Sequence, residues 1–103
     1  MGTIFDKILD GEIPCHKVYE DERAFAFRDI DPKAPVHVLV VPKEPIAKLS
    51  ESEDGHESLL GHLMLVCRRV AAQEGIEDAF RVVLNNGEGA GQSVFHLHLH
   101  VLG

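Results

Sequence analysis

Positive charge and cysteine are both scarce in this chain, and each shortage removes a class of function. Lys and Arg number 10 against 17 Asp and Glu, a formal net charge of −7. A surface of that sign repels nucleic-acid backbones and anionic bilayers, which argues against either as a partner. It leaves room for a mononucleotide, whose phosphate needs only a local cradle of donors. Cys15 and Cys67 lie far apart and form no Cys-x-x-Cys pair. They read as free thiols and not as a bridge. No stretch approaches the ~18 apolar residues of a membrane helix. No basic segment leads into an apolar run at the N-terminus. The expectation is a soluble, cytoplasmic protein. Repeats, low-complexity tracts and linkers are also missing. At 103 residues and 45% hydrophobic content, residues 1–103 suit one domain that buries its own core.

What is present is a strand-rich chain with one long helix. Ile4 to Leu9 suggests a short helix closed by Asp10-Gly11. His16 to Glu20, Ala24 to Asp29 and Val36 to Val41 read as strands, with a proline turn at 31–35. Lys43 to Asp54 is polar and loop-like. Glu57 to Gln73 places Leu59, Leu60, Leu63, Val66, Cys67 and Val70 at spacings of three and four, the mark of a helix with a buried stripe. Glu74-Gly75 supplies its stop. Phe80 to Leu84 and Val94 to Leu102 read as the last strands. Hairpin-spaced strands with one long helix predict an α+β fold on an antiparallel sheet.

The last strand carries His96, His98 and His100 at alternate positions. Alternation puts the three imidazoles on one face and Phe95, Leu97, Leu99 and Val101 on the other. Three imidazoles together are open to three readings: a solvated face, a zinc site, or catalysis near neutral pH. His37, near the start of an apolar strand, would need a buried partner. His16, His56 and His62 fall on surface segments without clustered partners and read as solvated. Phe25, Phe80 and Met64 read as core or interface.

A glycine-rich loop, Asn85-Asn86-Gly87-Glu88-Gly89-Ala90-Gly91-Gln92-Ser93, runs into His96-Leu97-His98-Leu99-His100. This resembles the signature of the histidine-triad (HIT) nucleotide-binding family. The likeness extends through Ile4-Phe5-Asp6-Lys7-Ile8, Gly11-Glu12-Ile13-Pro14, Val18-Tyr19-Glu20-Asp21 and Ala24-Phe25-Ala26-Phe27-Arg28-Asp29-Ile30. It continues in Pro32, Ala34-Pro35, His37, Leu39-Val40-Val41-Pro42-Lys43 and Leu59-Leu60-Gly61-His62-Leu63-Met64. Asn85, and Leu102-Gly103 where the dinucleoside-polyphosphate hydrolases carry Pro-Arg, are similar to the Hint branch of purine nucleoside phosphoramidases.

The resemblance implies a five-stranded sheet, two helices and a homodimer that joins two sheets, with the long helix and Phe80 to Leu84 in the contact. It implies a hydrolase of nucleoside 5′-phosphoramidates of the AMP-lysine type. His98 would be the nucleophile and His96 its orienting neighbour. His100 and His37 would hold the phosphate, and Ser93 would donate to the phosphate or the leaving amine. Gly91, Gln92 and Asn85 would meet the phosphate or ribose, with the glycines of the loop admitting a close backbone approach. Asp29 would accept from both ribose hydroxyls. Ile4, Phe5, Ile8, Ile13, Phe27 and Leu39 would wall the purine. No cofactor is expected. Zinc-binding relatives carry paired cysteines near the N-terminus, where this chain has Asp6, so no metal is expected either. Two alternatives remain: a nucleotide-binding or scaffolding module with incidental activity, and a dinucleoside polyphosphate hydrolase. The resemblance also implies a further tail beyond Gly103, approaching the partner's site, that this sequence does not contain.

Overall fold

The structure, a computed structural model, describes residues 2–103. Its elements in chain order are α1 (Ile4–Leu9), β1 (Lys17–Glu20), β2 (Ala24–Arg28), β3 (His37–Pro42), α2 (Glu57–Gln73), β4 (Arg81–Val83) and β5 (Leu99–Leu102). Five strands form one sheet in the order β1-β2-β3-β5-β4, with every neighbouring pair antiparallel. The fold is therefore α+β, as expected.

The period of two sorts the strands onto two faces. Ala24, Ala26, Val38, Val40, Leu99 and Val101 turn towards α2 and pack with its Leu59, Leu63, Val66 and Val70. The opposite face carries Phe25, Phe27, Leu39 and Val41, which pack with Phe5 of α1 and, at their margin, Ile8, Leu9 and Val94. Register places His100 opposite Leu39 and Leu39 opposite Phe27. The histidine face is thus the α1 face. All the apolar burial on the α2 face is free of this chemistry.

α1 is only six residues long and needs its caps. Thr3 Oγ1 accepts the Phe5 N–H at 3.1 Å, and the Thr3 N–H donates to Asp6 Oδ2 at 2.6 Å, a reciprocal box. Gly11, at φ +81°, turns the chain away. Cys15 is exposed and Cys67 buried, and both are free. Burial pushes the Cys67 thiol up to about 12.

Several expectations need correction. The last strand begins at Leu99 and not at Val94. Continuing the β3–β5 register beyond Val40↔Leu99 brings Pro42 into the ladder, and proline has no N–H to give. The preceding segment is held otherwise: Leu97 N–H donates to Ile46 O at 2.7 Å. Phe95 consequently leaves the apolar face and is exposed. β4 is shorter than Phe80 to Leu84, and short 3-10 turns at Leu49–Glu51 and Asp54–His56 interrupt the polar loop. His56 and His62 are not merely solvated. His62 Nε2 lies 2.6 Å from Asp21 Oδ2, and His56 Nε2 lies 2.6 Å from Glu44 Oε2. Asp21 also accepts from Tyr19 Oη and from the N–H groups of Arg23 and Ala24, and these contacts hold its carboxyl well below the usual range despite partial burial.

Candidate active site

A cavity of about 330 Å³ opens on the α1 face, within the roughly 300–1,000 Å³ of small-molecule sites. Ile4, Phe5, Ile8, Ile13, Phe27 and Leu39 form an apolar wall, and Asp29, Ser93, His98 and His100 supply its polar side. Phe5 meets both Phe27 and His98 edge-on, with ring centroids 5.5 Å and 5.0 Å apart. Four further residues, which the sequence alone does not assign to the site, line the cavity: Pro14, Arg28, Ile30 and Val94. Each adjoins or lies near a residue already named, so adjacency was the available signal. Ile30 is fully exposed at the rim.

The hydrogen bonds decide where the imidazole protons sit. His96 is buried, and its Nε2 faces Pro42 O at 2.7 Å, so that nitrogen donates. His98 Nδ1 faces His96 O at 2.8 Å and likewise donates. A neutral His98 then has its lone pair on Nε2. No buried side-chain nitrogen or oxygen lacks a partner among the described residues. His98 Nε2, without a protein partner there, is open to the cavity. Desolvation is the largest influence on His98 and lowers its pKa, only partly offset by its bond to His96 O. Desolvation, with His98 and His37 adding to it, lowers His100 to about 4. Both rings are neutral at neutral pH.

His37 is buried beside them. Its Nδ1 accepts the Lys33 N–H at 3.0 Å, and its Nε2 lies 2.9 Å from His100 Nδ1 and 3.4 Å from Asp29 Oδ2. Asp29 Oδ1 accepts the Asp31 N–H at 2.8 Å, and Oδ2 is the oxygen beside His37. Asp29, His37 and His100 hold one ligand atom each within 4.8 Å of the others. Tetrahedral zinc, with Zn–N near 2.1 Å, wants donors about 3.4 Å apart. The two imidazole nitrogens are closer and share a proton. As the rings stand, His37 and His100 form a hydrogen bond.

The glycine-rich loop behaves differently from the triad. Gln92 is buried: its Oε1 accepts the Gly87 N–H at 2.8 Å, and its Nε2 donates to Ala47 O at 2.8 Å and Val94 O at 2.9 Å. Its amide is fully occupied in shaping the loop. Gly91 sits at φ +99°, in left-handed backbone that favours glycine, with its N–H on Glu88 O. Asn85 is half-buried next to it. Neither Asn85, Gly91 nor Gln92 lines the cavity, whereas Ser93 does.

Known proteins are similar to this chain in sequence and in fold. The HIT domain model matches residues 10–103. An uncharacterized HIT-like protein of Synechococcus elongatus is 54% identical over 101 residues, spanning 98% of this chain and 89% of its own. A 14 kDa zinc-binding protein of Zea mays is 52% identical over 103 residues, spanning 98% and 80%. The solved HIT family hydrolase of Legionella pneumophila superposes with a TM-score of 0.94 at 42% identity, covering 97% of this chain and 90% of that one. With its histidines, its sheet order and these relatives in agreement, the chain belongs to the HIT domain family.

Proposed function

We propose that this protein hydrolyses nucleoside 5′-phosphoramidates, releasing a nucleoside monophosphate and an amine. The observation that carries the reading is the bond from His98 Nδ1–H to His96 O, which leaves a neutral, unshared Nε2 facing an apolar-walled cavity. In the first step that lone pair attacks phosphorus in line. A phosphorus–nitrogen bond forms to His98 as the phosphorus–amine bond breaks, and the departing amine takes a proton from the Ser93 side or from water. In the second step water attacks phosphorus, a phosphorus–oxygen bond forms as the phosphorus–Nε2 bond breaks, the water's proton passes to solvent, and His98 leaves with its ring neutral and Nδ1 still protonated. Charge grows on the non-bridging oxygens in both steps, where donors at His100 and Ser93 would stabilise it. His96 acts as a positioning residue through its carbonyl. The wall from Ile4 to Leu39 takes the purine, and Asp29 accepts from the ribose diol. The Legionella hydrolase supports a hydrolytic role. We also propose that it assembles as a homodimer.

The test is a side-by-side assay of an adenosine 5′-phosphoramidate and a diadenosine polyphosphate with EDTA present. Faster turnover of the phosphoramidate is expected. Preference for the polyphosphate, or dependence on added metal, would overturn the assignment. AMP binding without turnover of either substrate would favour a binding module.

A further inference from the structure

We infer that the loop from Asp29 to Lys33 sets the proton pattern of the phosphate-facing histidines through one backbone group, the N–H of Lys33. Only its consequence for turnover rests on the reaction proposed above. A backbone N–H can donate but never accept. Because the Lys33 N–H points at His37 Nδ1 at 3.0 Å, that nitrogen must hold a lone pair. A neutral His37 therefore carries its proton on Nε2. That Nε2–H lies 2.9 Å from His100 Nδ1, which must accept it. The proton of a neutral His100 is then on Nε2. The reverse direction, from His100 Nδ1–H to His37 Nε2, would put the His37 proton on Nδ1, against the Lys33 N–H, two donors facing at 3.0 Å.

The loop is built to keep this N–H in place. Asp31 N–H donates to Asp29 Oδ1 at 2.8 Å, and Asp29 N–H donates to His37 O at 2.9 Å. Pro32 and Pro35 restrict the backbone on either side. Five residues thus present the Asp29 carboxylate and fix the ring pattern behind it. The consequence is chemical. His100 borders the cavity, and an Nε2–H there can donate to a phosphate oxygen as it gains charge, whereas an Nε2 lone pair would repel it. Lys33 is a positioning residue, and it acts through its backbone.

The experiment is long-range proton–nitrogen correlation NMR of the imidazole rings in nitrogen-15-labelled protein, at neutral pH and without nucleotide. His37 and His100 should both show protonated Nε2 and unprotonated Nδ1. A protonated Nδ1 on either neutral ring would overturn the inference. Lys33→Pro removes the N–H. The His100 nitrogens should then move towards an averaged, mixed-tautomer pattern, and phosphoramidate turnover should fall about 100-fold. An unaltered His100 spectrum in folded Lys33→Pro would overturn the inference too. Lys33→Ala retains the N–H and should keep the wild-type ring pattern. Loss of the pattern there would assign the effect to the side chain and sink the proposal. Should Lys33→Pro fail to fold, the wild-type and Lys33→Ala spectra still decide. The stated ring pattern in a protein that does not cleave phosphoramidates would count against the reaction and leave the relay standing.

Discussion

His98 and His100 stand side by side, ring centroids 5.0 Å apart, yet their neighbours assign them opposite duties. His98 presents a lone pair on Nε2 because its Nδ1–H donates to His96 O. If it is the nucleophile, His98→Ala should reduce turnover to less than a few per cent of wild type. AMP should still bind, since the apolar wall and Asp29 remain. Steady-state assay and AMP titration check this, and robust turnover in the variant would remove His98 from the role. Asp29 Oδ2 can accept two hydroxyl bonds, and a site built for hydroxyls rejects the analogue without them. AMP should therefore bind at least about tenfold more tightly than its 2′,3′-dideoxy analogue. Equal affinities would exclude the diol contact. His100 also makes stability depend on pH. Its folded pKa, about 4, lies below the 6.5 of an unperturbed imidazole. Between those values the unfolded chain binds the extra proton, so stability rises with pH through that window. The denaturation midpoint should fall as pH drops from 6.5 to 4, and His100→Gln should flatten that slope. An unchanged slope in the variant would contradict the burial argument.

Among the elements, α1 has the least internal stability and the most site residues. Six residues close very few helical hydrogen bonds, so the Thr3 and Asp6 box matters more here than on a long helix. Thr3→Ala should cost about 1 kcal/mol and lower Tm by about 4–8 °C. It should weaken AMP binding as well, because Ile4, Phe5 and Ile8 wall the cavity. A thermal scan paired with an AMP titration tests the link; a Tm drop with unchanged affinity would detach α1 from binding. The bounds of α1 and α2 were both legible in the sequence, since caps and periodicity are local. The start of β5 was not. It depends on Pro42, more than fifty residues away, failing to continue a ladder, and on Leu97 finding Ile46 O instead. The site divides in the same way. Alternation predicted His96, His98 and His100 on one strand face, but only His100 lies within β5, and His98 reaches the cavity from the segment before it. The inward turn of Gln92, the His62–Asp21 pair and the Lys33 N–H on His37 involve backbone atoms or distant partners that residue identity does not advertise.

At the scale of the molecule, one side of the fold is unfinished. β4 is an edge strand of three residues, with one flank paired to β5 and the other open. An open edge is a template for pairing. Beside it a groove of about 340 Å³ is lined by Leu49, Leu60, Leu63, Met64, Val82, Leu84 and Leu99, with almost no polar surface. Met64 of this groove is exposed, as are Leu65, next to it on α2, and Phe80, just before β4. α2 thus has apolar residues beyond the stripe that the sheet covers, which is the pattern of a helix awaiting a second layer. A two-fold axis beside β4 would pair the edge with its copy and cover the groove in one operation. Leu99 belongs both to this groove and to the strand that carries His100, so such a contact would also brace the histidine strand from behind. Light scattering at micromolar concentration should report about twice the 11.4 kDa chain mass. Met64→Glu, which sets a charge in the proposed seam, should shift the population to monomer and lower turnover with it. A monomeric wild type would refute the interface, and a monomeric Met64→Glu with full turnover would show that the site is complete in one chain.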